Sequence, residues 1–172
     1  MPVNSSDPEH LLPQDLPEYT YVPGISPHPV SDLRGHAYGI PRPVSTGSLQ
    51  PGFYLFNYGY YWEAHEVWEA EWLALGRTGP QADFVKGLIK LAACGVKCLE
   101  QNAVGARRHA QRAMELLRGS QVCENQAARE HFMAFAEPLL TAPPLASDEQ
   151  QQAAKIGGVP LLGPLPGLTD DE

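Results

Sequence analysis

Basic residues are scarce in this chain, which has 12 Lys and Arg residues against 20 Asp and Glu residues and a net charge of −8. A protein whose main partner is nucleic acid usually carries a basic surface, so nucleic acid is not expected as a partner. Seven of the 12 basic residues lie between Lys86 and Arg118. They are predicted to form a solvated face of two helices, with a patch for an anionic ligand as the alternative.

Long apolar runs and paired cysteines are also lacking. No apolar run approaches the roughly 20 residues that a membrane-spanning helix needs, and residues 1–7 have neither the basic nor the apolar part of a secretory signal. Three cysteines, Cys94, Cys98 and Cys123, give an odd number without the spacing of a disulfide framework. These features predict a soluble cytoplasmic protein with no membrane partner, and a length of 172 residues suits one domain.

Motifs of common reaction classes are absent too. The chain contains no phosphate-binding glycine loop, nucleophile elbow or dinucleotide fingerprint. The run His65-Glu66-Val67-Trp68-Glu69 departs from the zinc-protease pattern, because Glu69 stands where that pattern requires a second histidine. The residues therefore identify no reaction.

Proline, in contrast, is concentrated at the N-terminus, where residues 1–47 contain nine of the 17 prolines. Proline fixes φ and lacks an N–H, so no packed helix or strand is expected there. Apolar residues spaced along this segment predict an extended strap that lies on a helical body, with residues 1 to about 15 disordered. Residues 141–172, in which Pro, Gly and Leu alternate with polar residues, are predicted to form an irregular C-terminal tail.

Residues 48–140 are predicted to form an all-α bundle of four to five helices. Apolar residues recur there at helical spacing, and Pro, Gly or Asn marks the helix ends. The predicted helices cover residues 51–56, 60–75, 81–100, 103–117 and 124–136, with a weak turn at 149–154. The helix at 81–100 has a wide apolar arc, which is typical of a central helix.

The stretch from residue 60 to residue 72 holds all three tryptophans and the densest acidic run. On a helix, one face would carry Tyr61, Trp62, His65, Glu69 and Trp72. A spacing of four allows His65 and Glu69 to contact each other or one metal ion. Three interpretations stay open: a buried structural pair, two metal ligands, or a catalytic general-base pair in a cleft.

Further residues are predicted to complete such a site. His28 and His36 lie beside turn-forming residues of the strap, and with His65 and Glu69 they would offer three nitrogens and a carboxylate to zinc, manganese or iron. The competing interpretation gives the strap histidines no role. The three tryptophans are expected to pack in the core, and in a pocket they would contact a bound cofactor or ligand: Trp62, Trp68 and Trp72.

The segments Phe56–Glu69 and Gly87–Ala93 resemble the two motifs of the domain of unknown function 309 family, over roughly residues 55–117. The resemblance implies a small all-helical bundle and no established activity. The chain is accordingly expected to be an uncharacterised helical protein whose aromatic-lined His/Glu pocket binds a small ligand or a metal. The alternatives are a metal-dependent hydrolase that uses His65, Glu69 and the strap histidines, and a structural or adaptor protein. The sequence is also compatible with a homo-oligomer.

Overall fold

The computed structural model describes residues 16–37, 43–119 and 126–165, with the side chains of residues 126–129 excepted. Within these ranges the chain forms six α-helices and no strand, so the predicted all-α fold is confirmed. The helices are α1 (Gln50–Asn57), α2 (Tyr61–Ala74), α3 (Pro80–Leu99), α4 (Ala103–Gly119), α5 (Gln126–Ala136) and α6 (Asp148–Ala153). A 3₁₀ turn, Glu137–Leu140, follows α5. The disorder predicted for residues 1 to about 15 lies outside the described residues.

Proline and glycine set the ends of the first three helices. Proline lies in the first turn of α1 and of α3, at Pro51 and Pro80, where a missing N–H leaves no helical hydrogen bond unmade. Gly59 and Gly76 have φ values of +83° and +82° and follow α1 and α2. This left-handed conformation favours glycine and ends a helix, so the short connections follow directly from the sequence.

The central helix is α3, as its wide apolar arc predicts. Twelve of its 20 residues are buried. It packs most extensively against α4 and then against α2, while α1 packs on α2 and the 3₁₀ turn packs on α4. Leu88, Leu91 and Leu99 are fully buried in this core. Burial of such a side chain contributes roughly 1.5–3 kcal/mol, so α3 supplies much of the stability of the bundle.

Small residues allow the helices to approach closely. A Cβ added to Gly95 of α3 would lie 2.4 Å from Cγ of Tyr61 in α2. A Cβ added to Gly52 of α1 would lie 2.1 Å from Nε1 of Trp68 in α2. The position of α2 therefore depends on one glycine in each neighbouring helix. Alanines do the same for α4, where the fully buried residues include Ala106, Ala110 and Ala113.

The buried face of α2 differs from the predicted one. The sequence placed His65 and Glu69 at the centre of an apolar face, whereas the structure buries Tyr61, Glu63, Ala64, Trp68 and Glu71. The side chains of His65 and Glu69 are 23% and 46% exposed. That prediction is wrong because α2 is covered on two sides, by α1 and α3 and by the N-terminal residues, and has no single apolar face.

The segments before α1 and after α6 lie on the helices. Residues 16–37 contain no helix or strand and cross α2; together with residues 43–47 they are the described parts of the strap. The Thr20 N–H donates to the Ala154 carbonyl at 3.0 Å. Residues 158–165 return to the turn between α1 and α2. The division of the chain at residues 47 and 140 stays a prediction. None of the helices in the described ranges is both long enough and apolar enough to cross a membrane.

We expect Gly95→Ala to lower the free energy of unfolding by about 1–3 kcal/mol, the usual effect of overpacking, although alanine favours a helix by about 1 kcal/mol. The added methyl group would meet the fully buried Tyr61 ring. Urea denaturation followed by circular dichroism measures this change. Gly119→Ala is the control, because no atom lies within 4 Å of its Cβ. Equal stability of Gly95→Ala and wild type would contradict the packing described.

Candidate functional site

The carboxylate of Glu63 fastens the first part of the strap to α2. The Thr20 hydroxyl donates to Oε1, and the Tyr21 N–H donates to Oε2 at 3.2 Å. Glu63 is only 2% exposed. A buried carboxylate without donors is strongly unfavourable, so these two strap donors are required for Glu63 to lie there.

A second buried carboxylate, that of Glu71, fastens the last part of the strap. The Ser45 hydroxyl and the Thr46 N–H each donate to it at 2.7 Å, and the Thr46 hydroxyl donates at 3.4 Å. Glu63 and Glu71 lie eight residues apart, which is about 12 Å along a helix. The strap is thus held to α2 on both sides of the intervening residues.

Burial makes Glu63 an unusually weak acid. It raises the pKa of this carboxyl group from 4.5 to about 7, although the Thr20 hydroxyl, the charge of His36 and the Tyr21 N–H each lower it. The neighbouring charge of Glu66 raises it further. Near neutral pH, the Glu63 carboxyl group therefore changes readily between its protonated and its charged form. A cation bound beside it would neutralise the charged form.

His36 of the strap lies next to Glu63 and Glu66. Its Nε2 is 3.3 Å from Oε1 of Glu66, and the side chains of His36 and Glu66 are 24% and 17% exposed. Burial alone would lower the pKa of His36, but the hydrogen bond to Glu66 and the negative charges of Glu63 and Glu66 raise it overall. One ligand atom from each of the three residues lies within 4.8 Å of the other two. Among the described residues, this is the group of three metal-ligand side chains close enough to share an ion.

A cavity of about 360 Å³ lies beside this group, between the strap and α2. Trp62 forms an aromatic wall, and four ionisable side chains form the polar part: His28, His65, Glu66 and Glu69. The remaining lining residues are Pro29, Val30, Ala37, Pro43, Ala70 and Leu73. Residues from the strap and from α2 therefore line the same cleft, which is open on one side to solvent.

Within this cavity, His65 and Glu69 form the pair that their spacing predicts. Nε2 of His65 lies 3.4 Å from Oε2 of Glu69, and Nδ1 lies 3.3 Å from the Trp62 carbonyl oxygen. Because a carbonyl oxygen only accepts, Nδ1 is the donor in that hydrogen bond. Nε2 then donates to Glu69 when the ring is protonated, and offers a lone pair to a cation or donor when the ring is neutral.

Aromatic rings fix the orientation of the cavity wall. The Trp62 ring centroid lies 4.7 Å from that of Tyr21, 5.1 Å from that of His65 and 6.2 Å from that of His28. The Trp62–Tyr21 and Trp62–His28 contacts are edge-to-face, which is a favourable arrangement of aromatic quadrupoles. The strap histidine His28 is thereby held on the same side of α2 as His65.

The predicted site residues fall into three groups. His28, His65, Glu69 and Trp62 line one cavity, whereas His36 pairs with Glu66 beside it. The other two tryptophans are not among the lining residues. Trp68 is fully buried and its Nε1 donates to the Leu49 carbonyl at 3.1 Å, so it packs in the core.

Trp72, the third tryptophan, lies away from the cavity beside two cations. The Lys86 ammonium and the Arg77 guanidinium lie 5.3 Å and 6.0 Å from its ring centroid, within the range of cation–π contacts. The indole N–H of Trp72 is buried without a hydrogen-bond partner among the described residues, and so is that of Trp62. Neither indole N–H donates to Glu69.

Sequence reasoning missed both carboxylates that hold the strap. Glutamate is rarely buried, and Glu63 and Glu71 lie off the predicted aromatic face, so nothing marked them as more than solvated charges. Their partners are 42 and 43 residues away for Glu63, and 25 and 26 residues away for Glu71. Glu66, which was not among the predicted site residues, also lines the cavity.

The fold and the site define a class of protein: an all-α bundle whose second helix presents several carboxylates and one histidine to an N-terminal strap. Residues 49–109 match the model of the family described as Domain of unknown function (DUF309). The family predicted from Phe56–Glu69 and Gly87–Ala93 is thus confirmed, and this segment, from just before α1 into α4, is a domain of that family. No curated protein and no solved structure matches the chain.

The buried acid predicts how stability depends on pH. A carboxyl group whose pKa is raised on folding stabilises the protein fully below its unfolded pKa of 4.5, and that contribution is lost as the pH rises through about 7. Glu63→Gln does not titrate, and its amide can still bond to Thr20 and Tyr21. We expect the wild type to lose about 1–3 kcal/mol relative to Glu63→Gln between about pH 5 and pH 8.

Urea denaturation in the presence of a chelator measures this difference. His36 and Glu66, which face Glu63, are present in both proteins, so their own contributions largely cancel in the comparison. Glu149→Gln, at an exposed position of α6, is the control and should run parallel to the wild type. A constant difference between wild type and Glu63→Gln over this range would show that Glu63 has an ordinary pKa.

Proposed function

We propose that this protein binds a small ligand in the cavity between the strap and α2. The observation that carries the proposal is the composition of the wall, which combines the indole of Trp62 with two imidazoles and two carboxylates in a space of about 360 Å³. A concave, mostly apolar wall with a few convergent polar groups is typical of ligand sites.

The polar groups favour a ligand with a cationic or hydrogen-donating group. The carboxylates of Glu66 and Glu69 only accept hydrogen bonds, and the face of Trp62 attracts cations. His28 and His65 can each donate or accept, which suits a second polar group on the same molecule. A small organic amine fits this combination, and we take it as the ligand class.

The attachment of the strap supports this proposal, because hydrogen bonds to α2 hold the cavity wall in place. Glu63 and Glu71 bind the strap on either side of the cavity-lining residues. Pro29, Val30, Ala37 and Pro43 of the strap then form one wall of the cavity. A ligand would enter by local movement of these residues while the two buried carboxylates keep the strap attached.

A divalent cation at His36, Glu63 and Glu66 is the second candidate function. An imidazole and two carboxylates whose ligand atoms lie within 4.8 Å of one another suit zinc, manganese or iron. Of the four ligands predicted from the sequence, only His36 belongs to this group. Glu63 and Glu66 take the place of the other three, which are His28, His65 and Glu69. Since Glu66 also lines the cavity, an ion there would lie close to a bound ligand, as the metal-dependent hydrolase alternative requires.

The remaining alternative is a structural or adaptor protein in which the His–Glu pairs only hold the strap. It differs from both proposals because it requires neither ligand nor metal. Cytoplasmic location and homo-oligomer formation stay predictions from the sequence.

The ligand proposal predicts that small amines raise the melting temperature of the protein and that matched neutral alcohols do not. We expect Glu69→Gln to weaken amine binding about tenfold, which corresponds to about 1.4 kcal/mol. Its side chain is 46% exposed, so the substitution should leave stability nearly unchanged. Isothermal titration calorimetry with primary and quaternary amines measures the effect. Glu115→Gln on α4 is the control, and failure of every amine to bind would leave the structural alternative.

The metal proposal predicts about one zinc or manganese ion per chain after reconstitution and dialysis, determined by elemental analysis. Glu66→Gln should weaken metal binding about 10–100-fold, because it removes one of the two carboxylates that would bind the ion together with the His36 imidazole. Glu69→Gln, three residues further along α2, should leave the affinity unchanged. If zinc, manganese and iron all dissociate completely from the wild type, the hydrolase alternative is excluded.

A further inference from the structure

Residues 158–165, called the tail segment below, cross the turn between α1 and α2 without helix or strand, with a bend at Leu162 and a left-handed φ of +75° at Gly163. The Val159 N–H donates to the Gly59 carbonyl at 3.2 Å. The N–H groups of Leu161 and Leu162 both donate to the Tyr61 hydroxyl, at 2.8 and 2.9 Å. One buried tyrosine therefore satisfies two successive peptide groups of the tail segment.

Asn57 binds the far end of the tail segment through both of its amide atoms. Its Oδ1 accepts from the Leu165 N–H at 2.8 Å, and its Nδ2 donates to the Leu165 carbonyl at 3.3 Å. A side-chain amide that pairs with both backbone groups of one residue holds an extended peptide without selecting its side chain. Main-chain hydrogen bonds of this kind supply affinity in peptide-binding sites, and pockets for selected side chains supply specificity.

The tail segment also has side chains that anchor it. Val159 and Leu165 are only 5% and 2% exposed and belong to the hydrophobic core, while Leu161 and Leu162 are partly buried. Pro160 and Pro164 point to solvent. Two buried anchors six residues apart, with main-chain hydrogen bonds between them, form a pattern that an apolar peptide of similar sequence could reproduce.

Two glycines permit the close contact of the two backbones. A Cβ added to Gly59 would lie 2.2 Å from the Val159 carbonyl carbon. A Cβ added to Gly158 would lie 2.1 Å from the Tyr58 carbonyl oxygen and 2.6 Å from the Tyr60 ring. The first glycine belongs to the surface that receives the peptide, and the second belongs to the peptide itself. Each can therefore be changed without altering the other partner.

The residues that hold the tail segment lie inside the family domain, and the tail segment lies outside it. Asn57, Gly59 and Tyr61 fall within the matched residues 49–109, whereas the tail segment follows some fifty residues after the last matched position. We propose that the surface around Asn57, Gly59 and Tyr61 is a binding site for an uncharged, Leu-, Gly- and Pro-containing peptide without helical or strand structure. In this chain, residues 158–165 are its tethered occupant.

A tethered occupant changes how a partner would bind. A segment joined to its site by a short linker competes at an effective concentration that can reach about millimolar, so a free peptide binds well only when the tail segment is weakened. None of the residues Asn57, Gly59 and Tyr61, which bind the tail segment, lines the amine cavity. Peptide and amine binding can thus be tested separately.

The test uses the full-length protein and a fluorescent peptide with the sequence of residues 157–165. Gly158→Val introduces the clash described above into the tethered segment only, and Leu165→Ser removes its buried anchor. We expect both variants to bind the free peptide at least about tenfold more tightly than the wild type in fluorescence anisotropy. Adding Asn57→Ala to either variant should reverse the gain, and a scrambled peptide should not bind.

Circular dichroism establishes that each variant retains its helices. Equal peptide binding by wild type and both folded variants would overturn the proposal, and so would a gain that Asn57→Ala does not reverse. If both tail variants fail to fold, the tail segment is an inseparable part of the core rather than a displaceable ligand, and the proposal is again wrong.

Discussion

The position of the strap depends on the burial of Glu63. A carboxylate that is 2% exposed needs hydrogen-bond donors, and both of its donors come from strap residues Thr20 and Tyr21. Once these residues are fixed, Tyr21 packs on Trp62 and on His28, and His36 reaches Glu66. The cavity exists because of this attachment. The pKa of Glu63, raised to about 7 by burial, makes the same attachment sensitive to neutralisation by a proton or a metal ion.

Much of the helical fold follows from local sequence. The predicted helix at 81–100 corresponds to Pro80–Leu99, because its apolar arc, a proline in the first turn and a glycine before it all indicate the same element. The predicted helix at 103–117 extends two residues further, to Gly119. These signals act between residues a few positions apart, so one sequence is enough to detect them. The sequence indicated which helix is central, but it did not indicate which helices pack against each other.

The site was less predictable, since its geometry depends on contacts between distant residues. The four-residue spacing of His65 and Glu69 allows the contact that the structure shows across one helical turn, and of the two strap histidines His28 lines the same cavity. It predicted the wrong buried face for α2. Aromatic residues lie on two sides of this helix, where some pack in the core and others pack against the strap. The burial of Glu63 and Glu71 depends on hydroxyl and N–H groups that periodicity does not locate. A single carboxylate in a helix is ordinarily a solvated one.

The strap and the tail segment both attach near the start of α2, at Glu63 and Tyr61. These residues are two positions apart and therefore face roughly opposite sides of the helix, and their partners lie at very different separations along the chain. Glu63 binds residues that precede it by 42 and 43 positions, whereas Tyr61 binds residues that follow it by 100 and 101 positions. During synthesis on a ribosome, the strap is therefore complete before α2 emerges and can dock at once. The Tyr61 hydroxyl must wait until the whole bundle has been translated. For that interval the surface around Asn57 and Tyr61 lacks the backbone groups that cover it in the finished protein.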